Sequence, residues 1–437
     1  MDRPDAVVVG GGILGAAAAY HLAREGVDTV VIDHGHPGHA TWAGAGIVCP
    51  VTATVGDQRL VDLAFAAAAH YPTLVSWLAA DAPADGQQPA EDGGAEARDT
   101  GPGAAAASLG GDRSGFAMAG MLSLSVAGSG AGKVAAVAAW AEQIAATTGY
   151  AEMAGHLDVG AAGARQRFPA LTPDVDAALL VPWAARVDGN RFRHALLGAA
   201  RHRGARVHAG TVERLEHHRD GVSVVVDGEP LAAGWAVVGA GAWTGQLLAG
   251  LEAVTASRGE IMHVVQNGLD TTGWPLVEVE GTGPYLIPWE GGRLAVGATV
   301  EPAADLDPRP SVAGVRWATD ALGRATGDRL AHAKVAECRV GFRPVSADGL
   351  PLIGPAPDAE RILLATGHGA NGLSWGPYTG SLIADLVTGR PPGIDLAPFS
   401  PGRFSGVTAV AGGADHGGGA GQGGPAYAHD RARGVPA

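Results

Sequence analysis

Three glycines near the N-terminus, Gly10, Gly12 and Gly15, have the spacing G-x-G-x-x-G and are the first residues whose types point to chemistry. Glycine at these positions permits a tight turn, a close approach of the backbone to a pyrophosphate, and close packing of a helix on a strand. Asp33 follows at the end of the next apolar run, where a carboxylate can accept hydrogen bonds from a ribose diol and repels a 2′-phosphate. The pattern predicts a dinucleotide site that disfavours NADP and leaves FAD and NAD open.

The elements that must position these residues are a strand over 6–9, a helix over 13–25 that ends at Gly26, and a second strand over 29–32. The two short apolar runs and the alanine-rich stretch between them indicate a strand–helix–strand unit of the parallel kind. The glycine turn then lies at the free N-terminus of the helix, which attracts a phosphate.

Two kinds of segment alternate along the rest of the chain. Further elements of the nucleotide-binding kind are predicted as a helix at 193–203, strands at 206–209, 222–227, 236–239 and 362–365, and a helix at 377–388. Segments typical of an antiparallel sheet are 116–126, 260–265, 276–280 and 293–300. The pattern predicts a discontinuous doubly wound domain with a strand-rich domain inserted twice, and a ligand crevice between the two.

The composition narrows the class of partner. A formal net charge of −14 argues against nucleic acid or an anionic membrane surface, because both favour a basic face. The two cysteines, Cys49 and Cys338, form no disulfide framework. With no signal peptide and no apolar stretch long enough to cross a bilayer, we expect a cytoplasmic protein without a transmembrane segment that binds a small molecule.

Four later segments carry a more specific pattern. They are the small-residue loop 40–47, the hairpin 285–301, the run 341–354 with G-F-R-P followed by D-G-L-P and I-G, and the loop 367–373, G-H-G-A-N-G-L. The run 341–354 is similar to the G-x-R-P and D-G-x-P-x-I-G signature of the FAD-dependent D-amino-acid oxidase/dehydrogenase family. The chain therefore resembles this family, whose relatives include glycine oxidase and sarcosine oxidase.

The resemblance covers most of residues 5–404 and implies FAD as the cofactor. It implies FAD contacts from a set of mostly small or loop residues, namely Gly10, Gly12, Leu14, Gly15, Asp33, Thr41, Ala45, Gly46, Val212, Gly241, Gly369, Asn371, Gly372 and Leu373. In the sarcosine oxidase branch a cysteine attaches the flavin at a position aligned with Gly341, and Cys338 lies three residues earlier. We therefore expect non-covalent FAD.

Three residues are candidates for substrate chemistry. Arg343 is expected to hold a substrate carboxylate through its planar guanidinium, and the alternative is a structural salt bridge to Asp348. Tyr285 is a candidate for the same pocket, although an ordinary core tyrosine has the same sequence signal. His368, beside the predicted flavin loop, is either a hydrogen-bonding group of the site or a satisfied structural histidine. Ala370 stands where some glycine oxidases carry a second arginine, so Arg343 is expected to act alone.

Other reaction classes find little support. His34, His36 and His39 are close together but lack acidic or cysteine companions at ligand spacing, so no metal is expected. No Ser/His/Asp order or paired-carboxylate motif indicates a hydrolase.

The predicted fold class is α/β, with a discontinuous FAD-binding Rossmann-like domain and an inserted antiparallel-sheet substrate domain. The FAD-binding parts are predicted at 1–78, 183–255 and 339–405, the substrate-domain parts at 116–182 and 256–338, and segments of disordered composition at 79–115 and 406–437.

The resemblance implies oxidation of the C–N bond of a small amine or amino acid, D-configured or glycine-like. Hydride transfer to flavin would give an imine that water hydrolyses to a keto acid and ammonia. Oxygen, a quinone or a redox protein would accept the electrons. The alternatives are an NAD-linked dehydrogenase and a non-catalytic flavin-binding or redox-sensing protein.

Overall fold

The structure, a computed structural model, describes residues 3–82, 114–127, 132–248, 253–279, 284–302 and 305–404. The helices are α1 (Ile13–Arg24), α2 (Pro50–Ala53), α3 (Val61–Ala80), α4 (Gly132–Thr147), α5 (Gly160–Arg167), α6 (Gly189–His202), α7 (Thr244–Leu247), α8 (Val312–Thr326) and α9 (Gly372–Thr388).

The strands up to the middle of the chain are β1 (Ala6–Val9), β2 (Thr29–Asp33), β3 (Ile47–Val48), β4 (Phe116–Met118), β5 (Met121–Val126), β6 (Leu157–Asp158), β7 (Val175–Val181), β8 (Ala185–Val187), β9 (Arg206–Ala209), β10 (Val212–His218) and β11 (Gly221–Val226). Those that follow are β12 (Glu229–Ala233), β13 (Trp235–Val238), β14 (Val254–Val265), β15 (Leu276–Val279), β16 (Tyr285–Trp289), β17 (Arg293–Gly297), β18 (Glu301–Pro302), β19 (Lys334–Ser346), β20 (Leu352–Ala356) and β21 (Ala359–Thr366).

A six-stranded sheet in the order β20-β21-β13-β1-β2-β9 is the centre of the predicted FAD-binding domain. Its strands run parallel except β20, which is antiparallel to β21. All four residues of β1 are apolar and buried, as expected for a strand that is covered on both faces. The predicted strand–helix–strand unit is confirmed, with the helix ending at Arg24.

Helices cover one face of this sheet, and the antiparallel meander β10-β11-β12 covers the other. Helices α1 and α9 lie side by side and run in the same direction. A Cβ atom built on Gly380 of α9 would lie 2.5 Å from the backbone of Ala17 in α1. The small residues let the two helices approach closely, so both N-termini lie at the same end of the sheet.

A nine-stranded sheet forms the second domain, in the order β18-β14-β17-β16-β15-β5-β7-β6 with β19 paired to β14. Its outer face packs against α8 and α5 around buried residues such as Met262 and Leu286. Its inner face carries Ile261, Ile287 and Ala295, which belong to the core shared with the helices of the FAD-binding domain. The sheet was predicted to be antiparallel, but β15 pairs with β5 in parallel, so it is mixed.

The domain boundary near residue 339 differs from the prediction. Strand β19 pairs with β14 from Lys334 to Ser346 without leaving the sheet, so a boundary between 338 and 339 would divide one continuous strand. Arg343 therefore belongs to the substrate-domain sheet. In the same way, β4, at the start of the predicted segment 116–182, pairs with β8 beside the FAD-binding domain.

The predicted insertion 79–115 begins too early. Helix α3 continues to Ala80, and the side chain of Asp81 is only 11% exposed. Its carboxylate accepts hydrogen bonds from the Tyr20 hydroxyl at 2.7 Å and from two nitrogens of Arg203, each at 2.7 Å. These bonds fix the end of α3 on α1 and α6. Residues 83–113 and the predicted tail 406–437 lie outside the described residues.

Within the described ranges, one helical stretch, Gln58–Ala80, has the length and apolarity of a membrane span, whereas the sequence pattern predicted none. It consists of α3 and the turn before it. Leu63, Phe65 and Tyr71 of α3 are fully buried inside the protein. The apolar composition is therefore that of a helix packed in a protein core, and length and composition are weak grounds for a membrane span.

The contacts of Asp81 predict a loss of stability when its carboxylate is removed. Asp81→Ala leaves Arg203 and Tyr20 without their acceptor, and we expect the free energy of unfolding at neutral pH to fall by about 2 kcal/mol or more. The Arg203 guanidinium lowers the pKa of Asp81, so this contribution is present above the unfolded-state pKa and is lost as pH falls through the folded-state pKa. Urea unfolding at several pH values measures it, with the exposed Glu142→Ala as the control. Equal unfolding midpoints for the two variants would contradict the prediction.

Candidate active site

The glycine turn after β1 is built for close backbone packing. A Cβ atom on Gly10 would lie 2.7 Å from the carbonyl oxygen of Gly239, and one on Gly15 would overlap the carbonyl oxygen of Gly10. Gly12 differs, because the nearest atom to a Cβ built there is Thr41 Oγ1 at 3.5 Å. Gly12 is also the N-cap residue of α1 and provides no side-chain cap. The N-terminus of α1 therefore opens onto space that suits a pyrophosphate.

Asp33 lies at the end of β2 with its carboxylate against Gly11. Arg193 of α6 forms a salt bridge with this carboxylate at 2.9 Å and also donates to the carbonyl oxygen of Gly11. Val212 begins β10 beside the same end of the sheet. The carboxylate is thus held where the fingerprint predicts a ribose contact. No sequence pattern pointed to Arg193, because its partners are distant along the chain.

The loop 41–46 is fixed at both ends. The Thr41 hydroxyl accepts a hydrogen bond of 3.0 Å from the backbone N–H of Ile13, in the first turn of α1. Gly46 has φ +73°, and a Cβ atom there would overlap the carbonyl oxygen of Val187 in β8. Ala45 lies between these contacts, half-buried against the core. The small residues keep the loop flat between α1 and β8.

The start of α9 lies against this loop. The side chain of Leu373 fills the space where a Cβ atom on Gly44 would be, and Tyr71 donates a hydrogen bond to the Leu373 carbonyl oxygen. Asn371 is the N-cap residue and makes no side-chain capping bond, and the first turn, which begins at Gly372, contains no acidic residue. The positive end of α9 is therefore directed at the same crevice as that of α1.

Open glycines and free donors in this crevice fit an anionic dinucleotide. A Cβ atom on Gly241 or Gly369 would meet no atom within 4 Å. The hydroxyl of Ser374, in the first turn of α9, is buried and has no hydrogen-bond partner among the described residues. Two helix N-termini, uncapped by acids and lined by glycine, are the surroundings that pyrophosphate and an anionic flavin ring require.

Arg343 and Tyr285 meet on the inner face of the nine-stranded sheet, above two glycines. The Arg343 guanidinium crosses the position where a Cβ atom of Gly259 would be and donates to the carbonyl oxygen of Thr299 at 3.1 Å. The Tyr285 ring covers Gly297, where a Cβ atom would lie 2.9 Å from the hydroxyl oxygen. Burial raises the pKa of Tyr285, and the adjacent Arg343 opposes the rise. The two glycines thus form a recess in which both polar ends lie together.

The alternative salt bridge between Arg343 and Asp348 does not form. Asp348 pairs with Arg403 instead, at 2.7 Å. In the part of the chain that the structure describes, Arg343 bonds to backbone carbonyl oxygens and has no carboxylate partner. Its positive charge is available to an anionic ligand.

His368 lies behind the first turn of α9 and is only 2% exposed. Its Nδ1 atom lies 3.0 Å from the Thr366 carbonyl oxygen, and its Nε2 atom lies 2.9 Å from Thr379 Oγ1. Burial lowers the pKa of His368 to about 4. Since both ring nitrogens are engaged within the protein, the geometry favours the structural alternative over a contact with substrate.

The histidines near the fingerprint have other partners. His34 Nδ1 lies 2.8 Å from Thr211 Oγ1, and the His36 ring stacks on Trp243 with centroids 4.5 Å apart. Among the residues that the structure describes, no group of three or more His, Cys, Asp or Glu side chains could hold a metal ion.

Comparison with known proteins identifies the cofactor class. The profile of the DAO family, described as FAD dependent oxidoreductase, matches residues 5–386. The chain belongs to this family. FAD is therefore the cofactor, and the NAD-linked alternative is set aside. The residues that line the glycine crevice would hold the FAD dinucleotide.

Relatives match over almost the whole chain. Iminodiacetate oxidase from Chelativorans sp. BNC1 is 31% identical in sequence with a TM-score of 0.77, covering 91% of this chain and 98% of that chain. Glycine oxidase from Pseudomonas putida is 30% identical, covering 90% of this chain and 97% of its own. An uncharacterised oxidoreductase, YurR of Bacillus subtilis, is 32% identical, with 90% and 98% covered. The predicted family and the two-domain α/β fold are confirmed.

Gly46 provides a test of the crevice. Gly46→Ala should greatly reduce the flavin bound per mole of protein, because its Cβ would displace the loop from Val187 and close the space beside α9. Gly56→Ala is a matched control, since Gly56 has φ +82° but no atom within 4 Å of a Cβ position. Flavin absorbance after purification, with circular dichroism to check folding, measures the effect. Full flavin content in Gly46→Ala would contradict the assignment of this loop.

Proposed function

We propose that the protein oxidises the C–N bond of a small amino acid or N-substituted glycine. The observation that carries this proposal is Arg343, a guanidinium without a carboxylate partner among the described residues, beside the hydroxyl of Tyr285. Both lie on the sheet face that turns toward the FAD crevice. The names of the relatives, glycine oxidase and iminodiacetate oxidase, support substrates with a carboxylate on the carbon next to nitrogen.

When bound, FAD would accept a hydride from the substrate α-carbon, taking up the two electrons of the C–H bond. Arg343 would hold the substrate carboxylate by two charge-assisted hydrogen bonds and so fix the direction of the α C–H bond. Tyr285 would form one side of the same pocket. The nitrogen lone pair would form the imine as the hydride leaves, and water would hydrolyse the imine to a 2-oxo acid and an amine or ammonia. Oxygen, a quinone or a redox protein remain candidates for the final acceptor.

The structure supports non-covalent attachment. Gly341 lies against Ala43, with 2.8 Å between the Ala43 side chain and a Cβ position on the glycine. Cys338 packs against the outer core of the nine-stranded sheet, on the face opposite to the crevice. Its thiol is therefore directed away from the flavin loop. Cys49 and Cys338 are both free, which fits the proposed cytoplasmic location.

Arg343 is the residue on which substrate recognition depends. Arg343→Lys should keep FAD and folding but lower kcat/KM for amino acids by roughly one to three powers of ten, because lysine cannot form the bidentate contact. Amines without a carboxylate should be affected much less. Steady-state kinetics and the rate of flavin bleaching without oxygen measure the effect, with the exposed Arg309→Lys as the control. Unchanged amino-acid kinetics would rule out the carboxylate role.

Flavin bleaching in the wild-type protein tests whether the protein is an amine-oxidising enzyme. A panel of glycine, sarcosine, iminodiacetate and D-amino acids is mixed with the oxidised wild-type protein. If no amine bleaches the flavin, the protein is a flavin-binding protein without this activity.

The pH dependence of kcat/KM should carry no signature of His368. Its pKa is lowered to about 4 by burial, so the ring is neutral through the usual assay range. We expect kcat/KM to rise with pH as the substrate amine loses its proton, because only the neutral amine has the required lone pair. His368→Asn should leave the position of this rise unchanged. An inflection near the ordinary histidine pKa that disappears in His368→Asn would contradict the structural role.

A further inference from the structure

A second arginine, Arg186, also has no ion-pair partner among the described residues. Arg186 of β8 is 9% exposed, and its guanidinium lies 5.0 Å from the centre of the Trp289 ring. Its hydrogen bond within the described chain is from Nη1 to the carbonyl oxygen of Pro288. Its Nε atom is buried and has no partner there. Glu290, in the turn between β16 and β17, attracts the positive charge of Arg186 but forms no ion pair with it.

A buried charge without a partner is costly, because its hydration is lost and nothing replaces it. Burial lowers the pKa of Arg186, but a guanidinium stays protonated under physiological conditions. Nine-tenths burial, an unpartnered Nε and a single hydrogen bond to a neutral carbonyl therefore leave a positive charge that no carboxylate of the described residues neutralises, with the Trp289 ring as its aromatic neighbour. A planar guanidinium of this kind recognises a carboxylate or a group of similar shape well.

Arg186 lies between the loop beside the predicted flavin site and the nine-stranded sheet. It stands opposite Ile47, the residue after Gly46 in the loop beside the predicted flavin site. On its other side it contacts Pro288 and Trp289 of β16 in the nine-stranded sheet. The guanidinium thus bridges the FAD-binding domain and the inner face of the substrate sheet.

Arg186 and Arg343 contact different parts of the same strand. Arg343 lies beside Tyr285 at the start of β16, and Arg186 bonds to Pro288 three residues further along. At the usual rise of a β-strand, three residues separate the two contact points by about 10 Å. An extended iminodicarboxylate has its two carboxylate carbons about 5 Å apart, and a charged hydrogen bond at each end adds roughly the remaining length.

Two other arginines of the nine-stranded sheet, Arg339 and Arg258, have carboxylate partners. Arg339 pairs with Glu337 at 2.5 Å and donates to the carbonyl oxygen of Trp42. Arg258 pairs with Glu260 at 2.5 Å. Arg186 and Arg343 differ from these two in having no carboxylate partner among the described residues.

We propose that Arg186 binds a second carboxylate of the substrate, so that the preferred substrates are amines carrying two carboxylates. Arg343 holds the carboxylate next to the oxidised carbon, and Arg186 holds the distal one. Arg186 is a specificity-determining residue. This assignment rests on the proposed amine oxidation, and it names the substrate class of that same site.

Kinetics with matched substrates test the assignment. The wild-type protein should oxidise iminodiacetate more efficiently than sarcosine, and D-glutamate more efficiently than D-glutamine, in at least one of the two pairs by about tenfold or more. The pair that shows the preference tells whether the second carboxylate is on the nitrogen substituent or on the side chain. This comparison needs no variant and so does not depend on how a mutant folds.

Arg186→Gln keeps a donor for Pro288 but removes the charge. It should lower kcat/KM for the preferred dicarboxylate by roughly 10- to 100-fold, while sarcosine or D-glutamine changes by less than about threefold. Arg186→Lys, which keeps the charge, should recover part of the loss, and the exposed Arg309→Gln is the control. Equal losses for both members of a pair would assign Arg186 to structure and overturn the proposal.

A binding assay separates this inference from the proposed reaction. Oxydiacetate has an ether oxygen in place of the amine and cannot form an imine, and methoxyacetate is its monocarboxylate counterpart. Oxydiacetate should perturb the flavin absorbance at lower concentration than methoxyacetate, and Arg186→Gln should remove the difference. If this holds but no amine is oxidised, the two-carboxylate site stands and the proposed reaction fails. If amines are oxidised but neither dicarboxylates nor oxydiacetate are preferred, the reaction stands and the role of Arg186 is wrong.

Discussion

The close contact between α1 and α9 is the constraint on which the cofactor site depends. Where Gly380 meets Ala17, no side chain separates the helices, and Gly376 packs on Ile13 and Leu14 nearer to their starts. Because the helices run in the same direction, their positive ends open side by side. A larger residue at this contact would push the two N-termini apart. The anion site is thus a consequence of packing between small residues in the core.

The predicted substrate site also depends on close packing at small residues, which here are glycines in a sheet. Gly259 and Gly297 leave a recess in which the side chains of Arg343 and Tyr285 lie flat across neighbouring strands. A residue with a Cβ atom at either position would lift these groups toward the crevice or displace them. Flat packing also restricts their rotamers, so the guanidinium is preorganised for a carboxylate.

The electrostatics of the crevice contrast with those of the whole chain. The protein has a formal net charge of −14, yet Arg186 and Arg343 have no carboxylate partners in the described residues, and the first turns of α1 and α9 contain no acidic residue. A positive pocket within an acidic protein favours small anions over polyanions such as nucleic acid, which meet the repulsive outer surface first. The net charge of the protein therefore acts on a ligand at long range, whereas the shape and arginines of the pocket act on it at contact.

The sequence by itself determined the local features. Gly10, Gly12 and Gly15 between an apolar strand and a helix predicted the dinucleotide turn, since that information lies within a few neighbouring residues. The family signature around Arg343 predicted FAD and a carboxylate-binding arginine in the same way. The predicted domain boundary divided its strand, because strand pairing with β14 joins residues far apart in sequence.

Only the tertiary structure decided which polar groups are already satisfied. His368 lies next to the flavin loop in sequence, but its two ring nitrogens are hydrogen-bonded to Thr366 and Thr379. Asp348 is near Arg343 in sequence but pairs with Arg403, and Arg193 reaches Asp33 from another helix. Arg186 carries no sequence signal, because what distinguishes it is that no carboxylate of the described residues forms an ion pair with it in the fold. The sequence gives the charge of a side chain, whereas its partner depends on long-range contacts that only the fold creates.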